Sequence, residues 1–290
     1  MKMRWPIALS FMLPALALYG LFVLLPAARG LYYSLTDFSG AGAARFVGLA
    51  NYSRILADPN ALVSIRNTLL YAGVVTVLQT VLGLLLALWM GNAASVRNFS
   101  RVALFAPSML SGVVISFIWT YVYSPLGGLL NTALEALGLG NLKAVWLGDP
   151  ATALLSVAAV QVWTFTGQTA AIYLANYLNI SQEVRESATL DGAGFWQRFA
   201  YVEWPLLAPA TTVSVTLTLI GALRVFDLPF LLTRGGPGNA SEVLGISIFR
   251  AAFSEQRFGY GAALAAVLTV FVVFVSVGLT RILRSREAAL

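Results

Sequence analysis

Gln161, Thr164 and Gln168 stand at i, i+3 and i+7 in an otherwise apolar stretch, with Phe165 beside them. That spacing sets them along one face of a helix. Amides and hydroxyls so arranged offer hydrogen bonds to a polar solute; they do not break bonds. Two further stripes repeat the pattern: Thr76, Gln79, Thr80 and Gly83, and Ser214, Thr218 and Gly221. Polar side chains inside apolar segments are costly, so three stripes point to a bundle around a wettable centre. Small and hydroxyl residues are also the usual packing surface between membrane helices. For Ser, Thr and Gly that packing reading stands beside the pathway reading. For Gln161 and Gln168 an amide suits lipid less well, and lining a path accounts for them equally. Arg224 and Asp227, at i and i+3, are placed to form an ion pair at the end of a span, or to line the path or its outer gate. Trp119, Tyr121, Tyr123, Trp146 and Tyr173 sit near span ends, where interfacial anchoring explains them. Trp163 and Phe165 lie deeper, where an aromatic face can also meet a ligand.

The residues that are missing narrow the chemistry further. The 290-residue chain has no cysteine and no histidine. Disulfides, thiolate chemistry, nearly every zinc site and the commonest general base are thereby excluded. No nucleophile–base pair or metal cluster supports a membrane enzyme. No Asp or Glu lies deep in an apolar run, which argues against a proton- or sodium-coupled carrier. No Gly-x-x-x-x-Gly-Lys-Ser/Thr segment is present, so the chain is not expected to bind ATP itself.

These residues must be held by membrane helices. Hydrophobic residues make up 59% and charged residues 10%, with mean hydropathy +0.80; soluble domains carry about 25% charged residues. The net charge of +6 reads as loop placement and interfacial anchoring, with no nucleic-acid partner. Six spans are expected in a single domain, over residues about 7–28, 68–90, 102–123, 151–173, 206–226 and 261–280. Each is long enough to cross a hydrocarbon core of about 30 Å as a helix. The first begins like a signal peptide after Lys2 and Arg4, but its apolar stretch is long and holds Pro14 and Pro26, so an uncleaved signal anchor is expected. With both termini cytoplasmic, the inner segments carry Lys2, Arg4, Arg97, Arg101, Arg185, Arg198, Arg281, Arg284 and Arg286, about twice the density of basic residues in the outer segments and at the outer membrane edge. The long segment 29–67 contains Phe46-Val-Gly-Leu-Ala-Asn-Tyr52, read either as lying at the membrane surface or as an ordinary ordered loop.

Between the fourth and fifth spans, residues 176–205 form a polar, helix-prone island. Ser181 is placed to cap a helix that runs to about Leu190 and stops at Gly192. A second, amphipathic helix is expected over Phe195–Val202, with Phe195, Phe199 and Val202 at i, i+4 and i+7. Pro205 suits the first turn of the next span. By physics alone this is either a rigid docking element or an interfacial loop without a partner.

The run Glu186-Ser-Ala-Thr-Leu-Asp-Gly-Ala193, with Pro205 beyond it, resembles the cytoplasmic EAA loop of permeases in ATP-driven (ABC) importers. Phe46–Tyr52, Arg101-Val-Ala-Leu-Phe-Ala-Pro107, Pro125-Leu-Gly-Gly-Leu-Leu-Asn131, Leu232-Thr-Arg-Gly-Gly-Pro-Gly-Asn239 and Phe258-Gly-Tyr-Gly-Ala-Ala-Leu264 are similar to segments of carbohydrate-uptake permeases, on the side of the maltose, lactose and glycerol-phosphate first permeases. The resemblance implies an all-α membrane protein of the type I importer (MetI-like) fold with a cytoplasmic coupling helix. It implies that Glu186, Ser187, Ala188, Asp191 and Gly192 meet an ATPase. It also implies that Gln161, Thr164, Phe165, Gln168, Thr218, Gly221, Arg224 and Asp227 belong to a sugar pathway. The implied partners are a second permease, two ATPase subunits that bind ATP and Mg, an extracytoplasmic sugar-binding protein and the lipid of a bacterial inner membrane. This chain would be a multi-pass transport subunit with no cofactor of its own and no catalytic residue. A permease for a non-sugar solute and an ion-coupled carrier are the alternatives. Two departures stand out: Ser187 replaces the family's first alanine, and Val202-Glu-Trp-Pro205 replaces Ile-x-Leu-Pro.

Overall fold

The computed structural model describes residues 5–92 and 97–287, with side chains over 11–91 and 103–285. Lys2, Arg4 and the middle of the expected 91–101 loop lie outside the described residues. The architecture is helical; the described residues pair as β structure only at an isolated Thr36–Phe46 bridge. The chain divides into two compact units, residues 1–62 with 247–269, and residues 63–246 with 270–290.

In the first unit, α1 (Trp5–Tyr19) continues through a π-turn (Gly20–Leu24) into α2 (Leu25–Ser34). Pro14 sits inside α1, where it removes one backbone hydrogen bond. None of the apolar window within Phe11–Ser34 is buried, so its surface suits lipid or a partner. The following loop is clasped. Asn51, in α3 (Ala50–Ala57), donates its amide to the Ser34 and Thr36 carbonyls at 2.9 and 2.8 Å, and the Tyr52 and Ser34 hydroxyls lie 2.7 Å apart. The Phe46–Tyr52 segment is therefore ordered by its own polar residues, while Phe46 and Leu49 stay exposed. The Tyr260 hydroxyl donates to Asp58 at 2.8 Å. Burial alone would raise the Asp58 carboxyl; that bond, the Asn60 and Ala61 amides and Arg257 together bring it below the ordinary carboxylate value. Its contribution to stability is present above the unfolded-state value and is lost only as pH falls through the lowered one.

The second unit is built on α8 (Ala153–Asn179), a 27-residue helix buried at 16 positions. Against it lie α4 (Pro59–Asn92), α5 (Arg97–Met109), α6 (Gly112–Val122), α12 (Ala208–Leu223) and α13 (Asp227–Thr233); between them in the chain come α7 (Leu129–Ala136), α9 (Gln182–Leu190), α10 (Phe195–Arg198) and α11 (Trp204–Leu206). Two more helices, α14 (Leu244–Phe249) and α15 (Phe258–Glu287), complete the order. Glycines set the closest approaches. A Cβ on Gly167 would fall 2.0 Å from the Leu104 carbonyl oxygen, so the α5 backbone crosses α8 directly there. A Cβ on Gly83 would instead meet the Thr169 side chain, at 2.6 Å, which makes it a packing glycine. Gly167→Ala is expected to cost about 1–3 kcal/mol or more by overpacking, read as a lowered melting temperature of the detergent-solubilised protein.

Several expected spans are revised. The third is not one straight helix: α5 and α6 meet at 111°. Pro107 removes a helical donor, and Ser111 starts a new helix in extended backbone with its side chain accepting from the Val114 amide. The fifth also bends, by 68° at Leu207, and α12 stops at Leu223, short of Phe226. The fourth runs on to Asn179, so the 176–205 island begins inside α8. By length and composition three described helices can cross a membrane, or five if each bent pair is one span. The central α8 is not among them, because its polar stripe lowers its hydropathy.

Candidate functional site

A cavity of about 490 Å³ opens within the second unit, between α8, α12, α4 and the α5–α6 break. Gln161, Thr164, Phe165 and Gln168 border it from α8, and Thr218 and Gly221 from α12. Arg224 and Asp227 border it from the chain beyond α12. The helical periodicity of the α8 stripe thus brings its members to one wall.

Their environments differ. Gln161 is buried, and its Oε1 accepts from the fully buried Tyr71 hydroxyl at 2.6 Å. Thr164 is buried and turns its hydroxyl onto the Val160 carbonyl at 2.7 Å. Gln168 is exposed to the cavity and makes no side-chain hydrogen bond among the described residues. Phe165 presents a half-buried ring beside it. At Gly221 an added Cβ would meet nothing within 4 Å, so the glycine widens the wall. Trp163 points elsewhere: its ring packs on Trp119 at 5.4 Å and it does not border the cavity.

The i, i+3 ion pair expected of Arg224 and Asp227 is absent. The helix ends between them, Asp227 opens α13, and no salt bridge joins the two among the described residues. Both are exposed.

Gln79 also belongs to this wall, although the sequence distinguished it only as part of a stripe. Its amide nitrogen donates to the Thr169 hydroxyl at 2.9 Å and the Thr218 hydroxyl at 3.2 Å, joining α4, α8 and α12. The stripe Thr76, Gln79, Thr80 and Gly83 carried the signal, but a lone glutamine on a mostly hydroxylic face reads as packing.

A second feature lies at the far end of α8. Ser181 caps α9 by accepting from the Val184 amide at 3.4 Å, and Gly192, at φ +83°, turns the chain out of it. No residue of α9 is buried. Glu186, Ser187, Asp191 and Gly192 are exposed, and Ala188 is half-buried. Glu186 accepts from the Gln182 amide at 2.6 Å. Leu190, 87% exposed, and Trp196, 76% exposed, add an apolar tip. α9 and the start of α10 thus leave both polar and apolar groups uncovered.

A family model described as the binding-protein-dependent transport system inner membrane component matches residues 79–288. The chain belongs to this family. The permease is 38% identical to the probable ABC transporter permease protein YurN of Bacillus subtilis, over 92% of either chain. It is 32% identical to AmyD of Thermoanaerobacterium thermosulfurigenes, a probable starch degradation products transport system permease, over 96% of this permease and 94% of AmyD. A chain of a bacterial alginate ABC transporter, solved in complex with alginate pentasaccharide-bound periplasmic protein, superposes with a TM-score of 0.85. That match covers 97% of this permease and 95% of the solved chain at 20% identity, which establishes the fold. The permease therefore has that helical fold.

Proposed function

We propose that this permease is one of two membrane subunits of a bacterial sugar importer, with both termini cytoplasmic and six helical passages once the bent pairs and α8 are counted. An extracytoplasmic binding protein delivers the sugar, and two ATPase subunits that bind ATP and Mg drive its passage. The observation that carries this reading is the cavity. Exposed Gln168, the Phe165 ring and the open wall at Gly221 meet the needs of a solute rich in hydroxyls with one apolar face. An amide replaces hydration, and an aromatic ring covers the C–H face of a pyranose. The relative named for starch degradation products supports a carbohydrate over other solutes. On this reading Arg224 and Asp227, unpaired at the cavity, contact the sugar or its gate, and Glu186, Ser187, Ala188, Asp191 and Gly192 seat α9 in the ATPase.

The test is transport in proteoliposomes containing both permeases, the ATPase and the binding protein. Sugar uptake that requires ATP is expected; uptake driven by a proton or sodium gradient without ATP would overturn the reading. Topology is checked separately. The chain has no native cysteine, so Ser187→Cys and Gly235→Cys label cleanly. Residue 187 is expected to react only from the cytoplasmic side and residue 235 only from outside; the reverse pattern inverts the orientation.

A further inference from the structure

Glu203 is completely buried, whereas Glu183, Glu186 and Asp191 of the same segment are exposed. Its Oε1 lies 3.2 Å from Arg198 Nε and 3.7 Å from Arg185 Nε, and accepts from the Tyr177 hydroxyl at 3.4 Å. Arg185 also donates to the Tyr177 carbonyl, and its guanidinium sits 4.0 Å above the Tyr177 ring. One carboxylate therefore joins the end of α8, through Tyr177, to α9, through Arg185, and to α10, through Arg198. It does so from a position four residues before the Leu207 bend that leads into α12.

Among the described residues, the side-chain bonds from α9 to other helices run through Arg185. The helix has no buried residue, so apolar packing does not hold it. Arg185 is its inward-reaching charged side chain, 23% exposed. Tyr177 cannot slip in turn, because its ring is seated against Gly91 of α4, where a Cβ would lie 2.3 Å away. A buried carboxylate facing two guanidiniums keeps its partners, since separation would leave a charge uncompensated away from water.

We propose that Glu203 is the positioning residue of force transmission: it locks α9 to α8 and α12, so that displacement of α9 reaches both cavity helices as one movement. This rests on the importer reading above. It also gives the unusual Glu in Val202-Glu-Trp-Pro205 a role that packing alone does not require.

The test uses the complete complex in proteoliposomes and reads sugar moved per ATP hydrolysed. Glu203→Gln keeps the size and removes the charge. It is expected to assemble and to hydrolyse ATP, with sugar moved per ATP lowered about three- to thirty-fold. Glu203→Asp, which keeps the charge, is expected to restore most of that ratio, which a purely space-filling role would not do. Spin labels at residues 178 and 187 are expected to show a broader α8–α9 distance distribution in Glu203→Gln. If Glu203→Gln fails to assemble, Arg198→Gln, at the partly exposed side of the same cluster, is the deciding variant and is expected to lower the ratio in the same direction. A wild-type ratio in the assembled variant overturns the proposal. Failure of the unaltered complex to couple uptake to ATP would instead overturn the importer reading, so the two failures are distinct.

Discussion

Glu186→Lys is expected to abolish ATP-driven uptake while leaving the permease folded. Glu186 is exposed, and among the described residues its side chain bonds only Gln182, one turn away on the same helix. Exposed substitutions of this kind change stability by about 0.5 kcal/mol or less. The consequence falls on the proposed partner. A carboxylate at the tip of a docking helix favours a basic surface on the ATPase, and reversing a charge in such a contact costs about 2–5 kcal/mol, which is about thirty-fold to several thousand-fold in affinity. The expected result is a permease that purifies at normal yield, retains little ATPase on co-purification, and supports no sugar uptake. Glu186→Gln, which removes the charge without reversing it, should fall between the two. Normal ATP-driven uptake by Glu186→Lys would show that α9 is not the point of force entry.

Much of this element was legible because its signals are local. A serine before a helix-forming run, and a glycine after it, determine their own backbone geometry, and both Ser181 and Gly192 behave as expected. The first, second and sixth apolar runs were legible for a similar reason: a long run of apolar residues forms one helix whatever surrounds it. The α5–α6 break was not. Leu110 and Ser111 lie within an apolar run, and a 111° turn there depends on a cap and on the space that α8 leaves, neither of which alters the composition. The end of α12 was misplaced for the same reason, and the expected Arg224–Asp227 pair went with it.

Glu203 shows the opposite limit. The sequence marks it as a departure from a motif and gives no hint that it is buried. Its partners Tyr177, Arg185 and Arg198 lie on three elements, 26, 18 and 5 residues away, and only the fold brings them together. The cavity is intermediate. Periodicity put Gln161, Thr164 and Gln168 on one face, but it did not distinguish the glutamine that faces the opening from the one that serves as an internal acceptor.

That difference determines how the pathway should be tested. Gln168→Leu is expected to weaken sugar-stimulated ATPase activity about three- to ten-fold in apparent sugar affinity, the equivalent of about one lost hydrogen bond. Its side chain makes no hydrogen bond among the described residues, so stability should not change. Gln161→Leu is a compound change. It removes a cavity amide and also leaves the buried Tyr71 hydroxyl without its acceptor, a loss of about 1–3 kcal/mol in stability. Adding Tyr71→Phe removes both members of that bond, and replacing both partners by apolar groups is nearly neutral. The pair Tyr71→Phe and Gln161→Leu should therefore recover the melting temperature of the wild type. If Gln161 also binds sugar, its transport defect persists in the stable double variant. If transport recovers along with stability, Gln161 is an interhelical bond and Gln168 alone reports on the solute. If Gln168→Leu transports like the wild type as well, the sugar passes along a different wall, and the second permease of the pair must supply it.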